Sequence, residues 1–229
     1  MIRFERVSKR YPGGSQALLD VSFQLGSGEM AFLTGHSGAG KSTLLRLILM
    51  LERASRGQVV VDGRNLSSTP SRLAPRVRQG IGMIFQDHKL LSDKSVFDNV
   101  ALPLMIAGMR YPDIRKRVRA SLDTVGLLSK EKSGPLTLSG GEQQRDGIAR
   151  AIVGMPPIQL ADEPTGNLDP QLSEDLFGLF RRLNAQGVTV LVASHDLGLI
   201  RSMGQRVLVL SNGRLVDDIP AEDVGVNRT

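Results

Sequence analysis

Residues 35–42, Gly35-His36-Ser37-Gly38-Ala39-Gly40-Lys41-Ser42, constrain the surrounding fold more tightly than any other stretch of the chain. They fit the pattern G-x-x-x-x-G-K-[ST]. Met30 to Thr34 before them is a short apolar run that reads as a buried strand, and Ser42 to Leu51 after them has helical composition. The glycines permit positive φ and close approach of the backbone, so successive N–H groups can face a polyphosphate. The helix start adds its dipole and its unpaired donors. In that setting Lys41 is expected at the β- and γ-phosphates and Ser42 on a Mg²⁺ ion.

Three further short apolar runs, Ile81–Phe85, Ile158–Ala161 and Val188–Ala193, suit strands buried on both faces of a parallel sheet. Gln159 interrupts the second of these without an evident place. Between the last two runs a helix is expected. Asp169 is its N-cap and Pro170 its first residue, Leu172, Leu176, Leu179, Phe180 and Leu183 form one apolar stripe, and Gly187 ends it. A strand, helix and strand in this order imply a right-handed parallel crossover. Near the start, residues 2–7, 21–25 and 58–62 alternate or run apolar between turn signals and read as antiparallel strands. Ser95–Gly108 and Asp113–Val125 read as helices with no strand between them, and Ile114, Val118, Leu122 and Val125 share a face. The expected organisation is one α/β domain over 1–229. Residues 1–88 and 138–229 form its core, a mostly parallel sheet with an antiparallel β subdomain, and 89–137 form an inserted helical subdomain.

Two more segments carry chemistry. Asp162 and Glu163 end the apolar run from Ile158. The first carboxylate is placed to hold Mg²⁺ beside Ser42, and the second to polarise an attacking water. Leu138-Ser139-Gly140-Gly141-Glu142-Gln143-Gln144-Arg145 is a glycine-rich turn opening a helix, a second anion-facing helix start. Two such starts in one chain serve one nucleotide only when two chains meet head to tail.

These three segments, with Asp162-Glu163 extended through Pro164-Thr165-Gly166-Asn167-Leu168-Asp169, resemble an ABC-type ATPase subunit over essentially the whole chain. The resemblance implies a P-loop NTPase core that binds ATP with Mg²⁺ along Gly35, His36, Ser37, Gly38, Ala39, Gly40, Lys41, Ser42 and Thr43. It implies that Tyr11 stacks on adenine, that Gln86 senses the γ-phosphate and Mg²⁺, and that Asp162 is the Mg²⁺-associated aspartate. Glu163 would be the catalytic base and His195 the γ-phosphate contact. Ser139, Gly140 and Gly141 would face the nucleotide held by a second subunit, and Asp169 would lie on the loop crossing the homodimer interface. His36, Ala39 and His88 resemble the cell-division members of the family. The motor of an exporter or a lipoprotein-release transporter is the competing reading. A soluble ATPase acting on DNA or ribosomes fits less well, since such relatives usually carry two cassettes or a long coiled-coil insertion. Two positions depart from the family pattern: Asp146 stands where a small or apolar residue is usual, and Leu49-Met50 replaces a Cys-Gly pair.

Composition excludes several alternatives. With no cysteine, a disulfide framework, a thiolate zinc site and a cysteine nucleophile are ruled out. No tryptophan and 4% aromatics argue against stacking platforms for single strands. The net charge of +6 is local: residues 64–119 hold 11 Lys/Arg and 4 Asp/Glu, leaving 18 and 19 elsewhere. This stretch, with Arg72, Arg76, Arg78, Arg110, Arg115, Lys116, Arg117 and Arg119, reads by itself as a solvated face; the family resemblance implies instead a surface toward the membrane partner and near anionic lipid, and no nucleic-acid partner is expected. Val100–Met109, the longest nearly apolar stretch, is too short to span a bilayer. The N-terminus reads as a strand rather than a signal peptide. The expected location is the cytoplasm, and the family resemblance implies attachment to the inner face of the membrane through an integral membrane partner.

Overall fold

The strand expected to lead into residues 35–42 is β3 (Met30–Thr34), and all five of its residues are buried. In the computed structural model, which describes residues 1–166 and 168–224, the chain divides into two compact units. One is Met1–Arg78 with Leu183–Thr229, the other Gln79–Arg182.

In the first unit, β1 (Ile2–Arg10) pairs antiparallel with β2 (Gln16–Leu25) and with β4 (Arg56–Val61), and β5 (Arg64–Asn65) continues beyond β4. Alternation in β1 turns Ile2 and Phe4 inward, where Phe4 stacks on Phe23 with centroids 4.8 Å apart. Register slips between Glu5 and Ser8, where Arg6 takes a φ of 47°. The second sheet of this unit has β3 between β8 (Thr189–Ala193) and β9 (Arg206–Ser211), both parallel to it, and β10 (Arg214–Ile219) antiparallel on β9. The α1 helix (Lys41–Ile48) is shorter than expected. Leu49 caps it and Met50 turns to a φ of 50°. The short helices α2 (Ala74–Gln79) and α7 (Leu197–Met203) were not expected from periodicity.

The second unit holds β6 (Ile81–Ile84) parallel to β7 (Ile158–Asp162), with α3 (Val96–Ile106), α4 (Tyr111–Thr124) and α5 (Gly140–Ile152) packed on one another. Ile114, Val118 and Leu122 are buried along α4, as their spacing requires. The sequence start expected at Asp113 moves to Tyr111, because Pro112 is tolerated in the first helical turn. Gln159 now has its place. It is 1% exposed, its Nε2 donates to the Leu160 carbonyl, and its side chain fills the space beside Gly82 that a Cβ would take. The α6 helix (Pro170–Ala185) starts where expected: Asp169 Oδ1 accepts from Leu172 N at 2.9 Å. Its buried stripe is Leu176, Phe177, Leu179 and Phe180, with Leu172 and Leu183 half-buried at its ends.

Candidate nucleotide-binding site

The loop after β3 depends on glycine at two positions. Gly35 has a φ of 146° and a Cβ there would run into the Leu210 carbonyl oxygen. Gly40 has a φ of 110° and a Cβ would come within 2.6 Å of the Ala17 carbonyl oxygen. Both are cases where only a residue without a side chain permits the backbone path. At Gly38, with a φ of 79°, a Cβ would meet nothing within 4 Å. Lys41, 8% exposed, folds its ammonium back across the loop and donates to the Gly35 carbonyl at 2.7 Å. No side chain caps the start of α1, and its first turn carries no acid. Backbone donors, a positive helix end and one ammonium therefore converge on this loop. This donor set fits a polyphosphate.

The loop is braced by residues that the sequence patterns above did not single out. The β9–β10 turn, Asn212-Gly213, has φ values of 47° and 75°. Gly213 N donates to the Ala39 carbonyl and its own carbonyl accepts from Leu19 N. Asn212 N donates to His36 Nε2 at 3.4 Å, while the other ring nitrogen bonds the Ser37 carbonyl at 2.7 Å. An Asn-Gly pair between apolar runs is a strong hairpin signal, and it was available in the sequence. Tyr11 is half-buried with its hydroxyl 3.4 Å from Thr43 Oγ1, and the Lys9 ammonium lies 4.8 Å from its ring centre. His195 is exposed in the loop between β8 and α7. Since Leu33 pairs with Ala193 in parallel register, that loop leaves the sheet at the same end as residues 35–42. Ser194 N donates to the Leu33 carbonyl, and Asp196 caps α7 by accepting from Leu199 N, which fixes the loop on both sides of His195.

The second unit repeats this arrangement. Ile84 pairs with Ala161 in parallel register, so exposed Gln86 and the Asp162–Glu163 pair emerge side by side from strand ends. Glu163 has a φ of 46°, an uncommon conformation for a side chain of its size. The loop that follows it is pinned by Gln144, 2% exposed, whose Nε2 donates to the Pro164 carbonyl at 2.8 Å. Gln144 is a further residue whose contribution the sequence left unassigned.

Ser139 is the N-cap of α5. Its Oγ accepts from Glu142 N at 3.3 Å, and Glu142 Oε2 accepts from Ser139 N at 2.8 Å, a reciprocal capping box. The Ser139 backbone N–H, then the Ser139 hydroxyl and nearby cations, hold the Glu142 carboxyl below the usual carboxylate range. The two helix starts therefore differ. That of α1 is bare, whereas that of α5 carries its own carboxylate and presents exposed Ser139 and Gly140 in a preformed turn. Asp169 is exposed and acts as the α6 cap; Asn167 of the same loop lies outside the described residues. Among the described residues no cluster of three His, Asp or Glu side chains forms a cation cage. A Mg²⁺ ion carried on nucleotide phosphates needs only one or two protein oxygens and no such cage.

The fold and these loops are those of an ATP-binding cassette. The ABC transporter family model matches residues 18–166, and the chain belongs to that family. It is 59% identical over 94% of its length to the cell division ATP-binding protein FtsE of Escherichia coli (strain K12), covering 97% of that protein. It is 46% identical over the full length of both chains to FtsE of Mycobacterium tuberculosis. Among solved structures it matches a dimeric post-hydrolysis state of the ATP-binding cassette MJ0796 bound to ADP and Pi. That match has a TM-score of 0.92 and 33% identity and covers 96% of this chain and 99% of the other.

Proposed function

We propose that this chain is the ATP-hydrolysing subunit of an FtsE-like complex in bacterial cell division. The reading is carried by the lysine-spanned loop at residues 35–43, where an uncapped helix start and the Lys41 ammonium offer donors to a polyphosphate. Mg²⁺, when bound with the nucleotide, would neutralise phosphate charge. Ser42, Gln86 and Asp162 would hold that ion, and Lys41 and His195 would meet charge developing on the γ-phosphate. Tyr11 takes the adenine ring. Glu163 accepts a proton from the attacking water. Ser139, Gly140 and Gly141 complete the site from a second copy in a head-to-tail homodimer, and Asp169 lies at the crossing. Closing and opening of that dimer drive an FtsX-like integral membrane partner and so regulate septal cell-wall hydrolysis. The names of the FtsE relatives favour this over an exporter or lipoprotein-release motor.

Among the described residues no helix is long and apolar enough to cross a membrane; attachment through the partner is part of this proposal. Part of the basic stretch is committed internally: Arg78 donates to the Leu49 and Met50 carbonyls, and Arg119 pairs with Glu131 at 3.3 Å. Arg115, Lys116 and Arg117 remain exposed on α4 and are the residues proposed to meet anionic headgroups.

Glu163→Gln tests the catalytic assignment. ATP-dependent dimerisation, followed by light scattering, is retained, while turnover falls by roughly two or more orders of magnitude. Unchanged hydrolysis removes Glu163 as the base. Affinity isolation from native membranes tests the partner, and recovery of a substrate-translocating permease overturns the cell-division role.

A further inference from the structure

Beyond its Ser139 end, α5 reaches both catalytic loops of its own unit. Gln144 holds the carbonyl that follows Glu163. Six residues further on, about 9 Å along the axis at about 1.5 Å per residue, Arg150 donates from Nη1 to the Lys89 carbonyl at 2.7 Å and from Nη2 to the His88 carbonyl. Those carbonyls belong to the turn that begins at Gln86. His88 and Lys89 are consecutive non-glycine residues in the left-handed region, with φ values of 57° and 50°. Such a turn costs conformational energy and persists only when its surroundings hold it. Two adjacent carbonyls are a target for the planar guanidinium fork, whereas an ammonium offers no such pair of fixed donors.

The guanidinium is aimed at the turn and not at its counter-ion. Asp146 lies one turn earlier on α5, fully buried, and among the described residues neither of its carboxylate oxygens accepts a hydrogen bond. Burial lowers the pKa of Arg150, and the Asp146 charge opposes that effect. Asp146 therefore offsets charge burial at a distance, while the donors of Arg150 go to the backbone.

We propose that Arg150 is a positioning residue. Its fork fastens the His88–Lys89 turn to α5 and so sets Gln86 in register with the Glu163 loop that Gln144 fastens to the same helix. It acts through Gln86, and in this it rests on the reading of Gln86 as the γ-phosphate sensor.

The test uses the full chain with Arg150→Ala and Arg150→Lys. Hydrogen exchange without nucleotide is expected to rise about tenfold in the 86–91 segment of Arg150→Ala, with α3 and α4 unchanged. With Mg-ATP, kcat falls about ten- to hundredfold while KM stays within about twofold, since the phosphate loop is untouched. Arg150→Lys keeps a cation near Asp146 and the folded unit, yet shows the same kcat loss; it decides the matter if the alanine variant fails to fold. The proposal is overturned by unchanged exchange over 86–91, by a loss confined to KM, or by full activity of the lysine variant. Gln86→Ala separates the two readings. If it leaves kcat intact while Arg150→Ala still loosens the turn, the tether stands but positioning through Gln86 does not.

Discussion

Asp146→Asn removes a charge that has no hydrogen-bond partner among the described residues. Burial, against the opposing pull of Arg150, pushes the Asp146 carboxyl up from 3.8 to about 7. The native state thus binds this proton more tightly than the unfolded chain does, and stability from the group is greatest at low pH. It is lost as pH rises from about 4 to about 7, at about 1.4 kcal/mol per pH unit, for a total of about 4 kcal/mol. Protonation already gives up the attraction to Arg150, so this is a net figure. Asparagine has nearly the shape of the protonated acid and never ionises. The variant should therefore match wild type near pH 4, exceed it by about 1.5 kcal/mol at pH 5, and exceed it by up to about 4 kcal/mol at pH 8. Urea denaturation followed by circular dichroism from pH 4 to 8 measures the difference, and other titrating groups cancel in the comparison. An advantage that does not change with pH, or a variant less stable than wild type at pH 8, refutes the reasoning. The carboxylate would then be stabilised by its surroundings rather than stranded in them.

Two more substitutions probe the loops directly. Gly40→Ala places a Cβ within 2.6 Å of the Ala17 carbonyl at a φ of 110°. It should cost on the order of 1–3 kcal/mol in strain and weaken ATP binding, measured by calorimetry; unaltered affinity and melting temperature would contradict the geometry. Ser139→Ala removes the α5 cap and should cost about 1 kcal/mol of stability. If Ser139 also faces the nucleotide of a second copy, ATP-dependent dimerisation falls by more than that loss explains, and a stability effect alone would leave it as a cap only.

Much of the site was legible because its chemistry is local. A glycine-rich loop between a buried strand and a helix needs no distant contact to be recognised, and the same holds for Asp169 before Pro170. The β9 and β10 strands went unassigned because their burial is uneven: Val207, Leu208 and Leu210 are covered, while most of β10 is exposed. Gln159 reads as a defect in an apolar strand until Gly82, far away in sequence, is found to leave room for it.

By itself the sequence determined the phosphate-seeking loop, the alternation that makes strands, the Asp169 cap and the positions of Gln86, Asp162, Glu163 and His195 at strand ends. These follow from backbone propensity and period, which act over a few residues. Only the tertiary structure decided which carbonyls brace the loop, why Gly35 and Gly40 admit no side chain, and that Gln144 and Arg150 fasten two separate loops to one helix. It also turned Asp146 from an odd residue in a motif into a buried acid with a pKa of about 7. Burial and long-range hydrogen bonds depend on what packs against a residue, and that partner is set by the fold rather than by its neighbours in the chain.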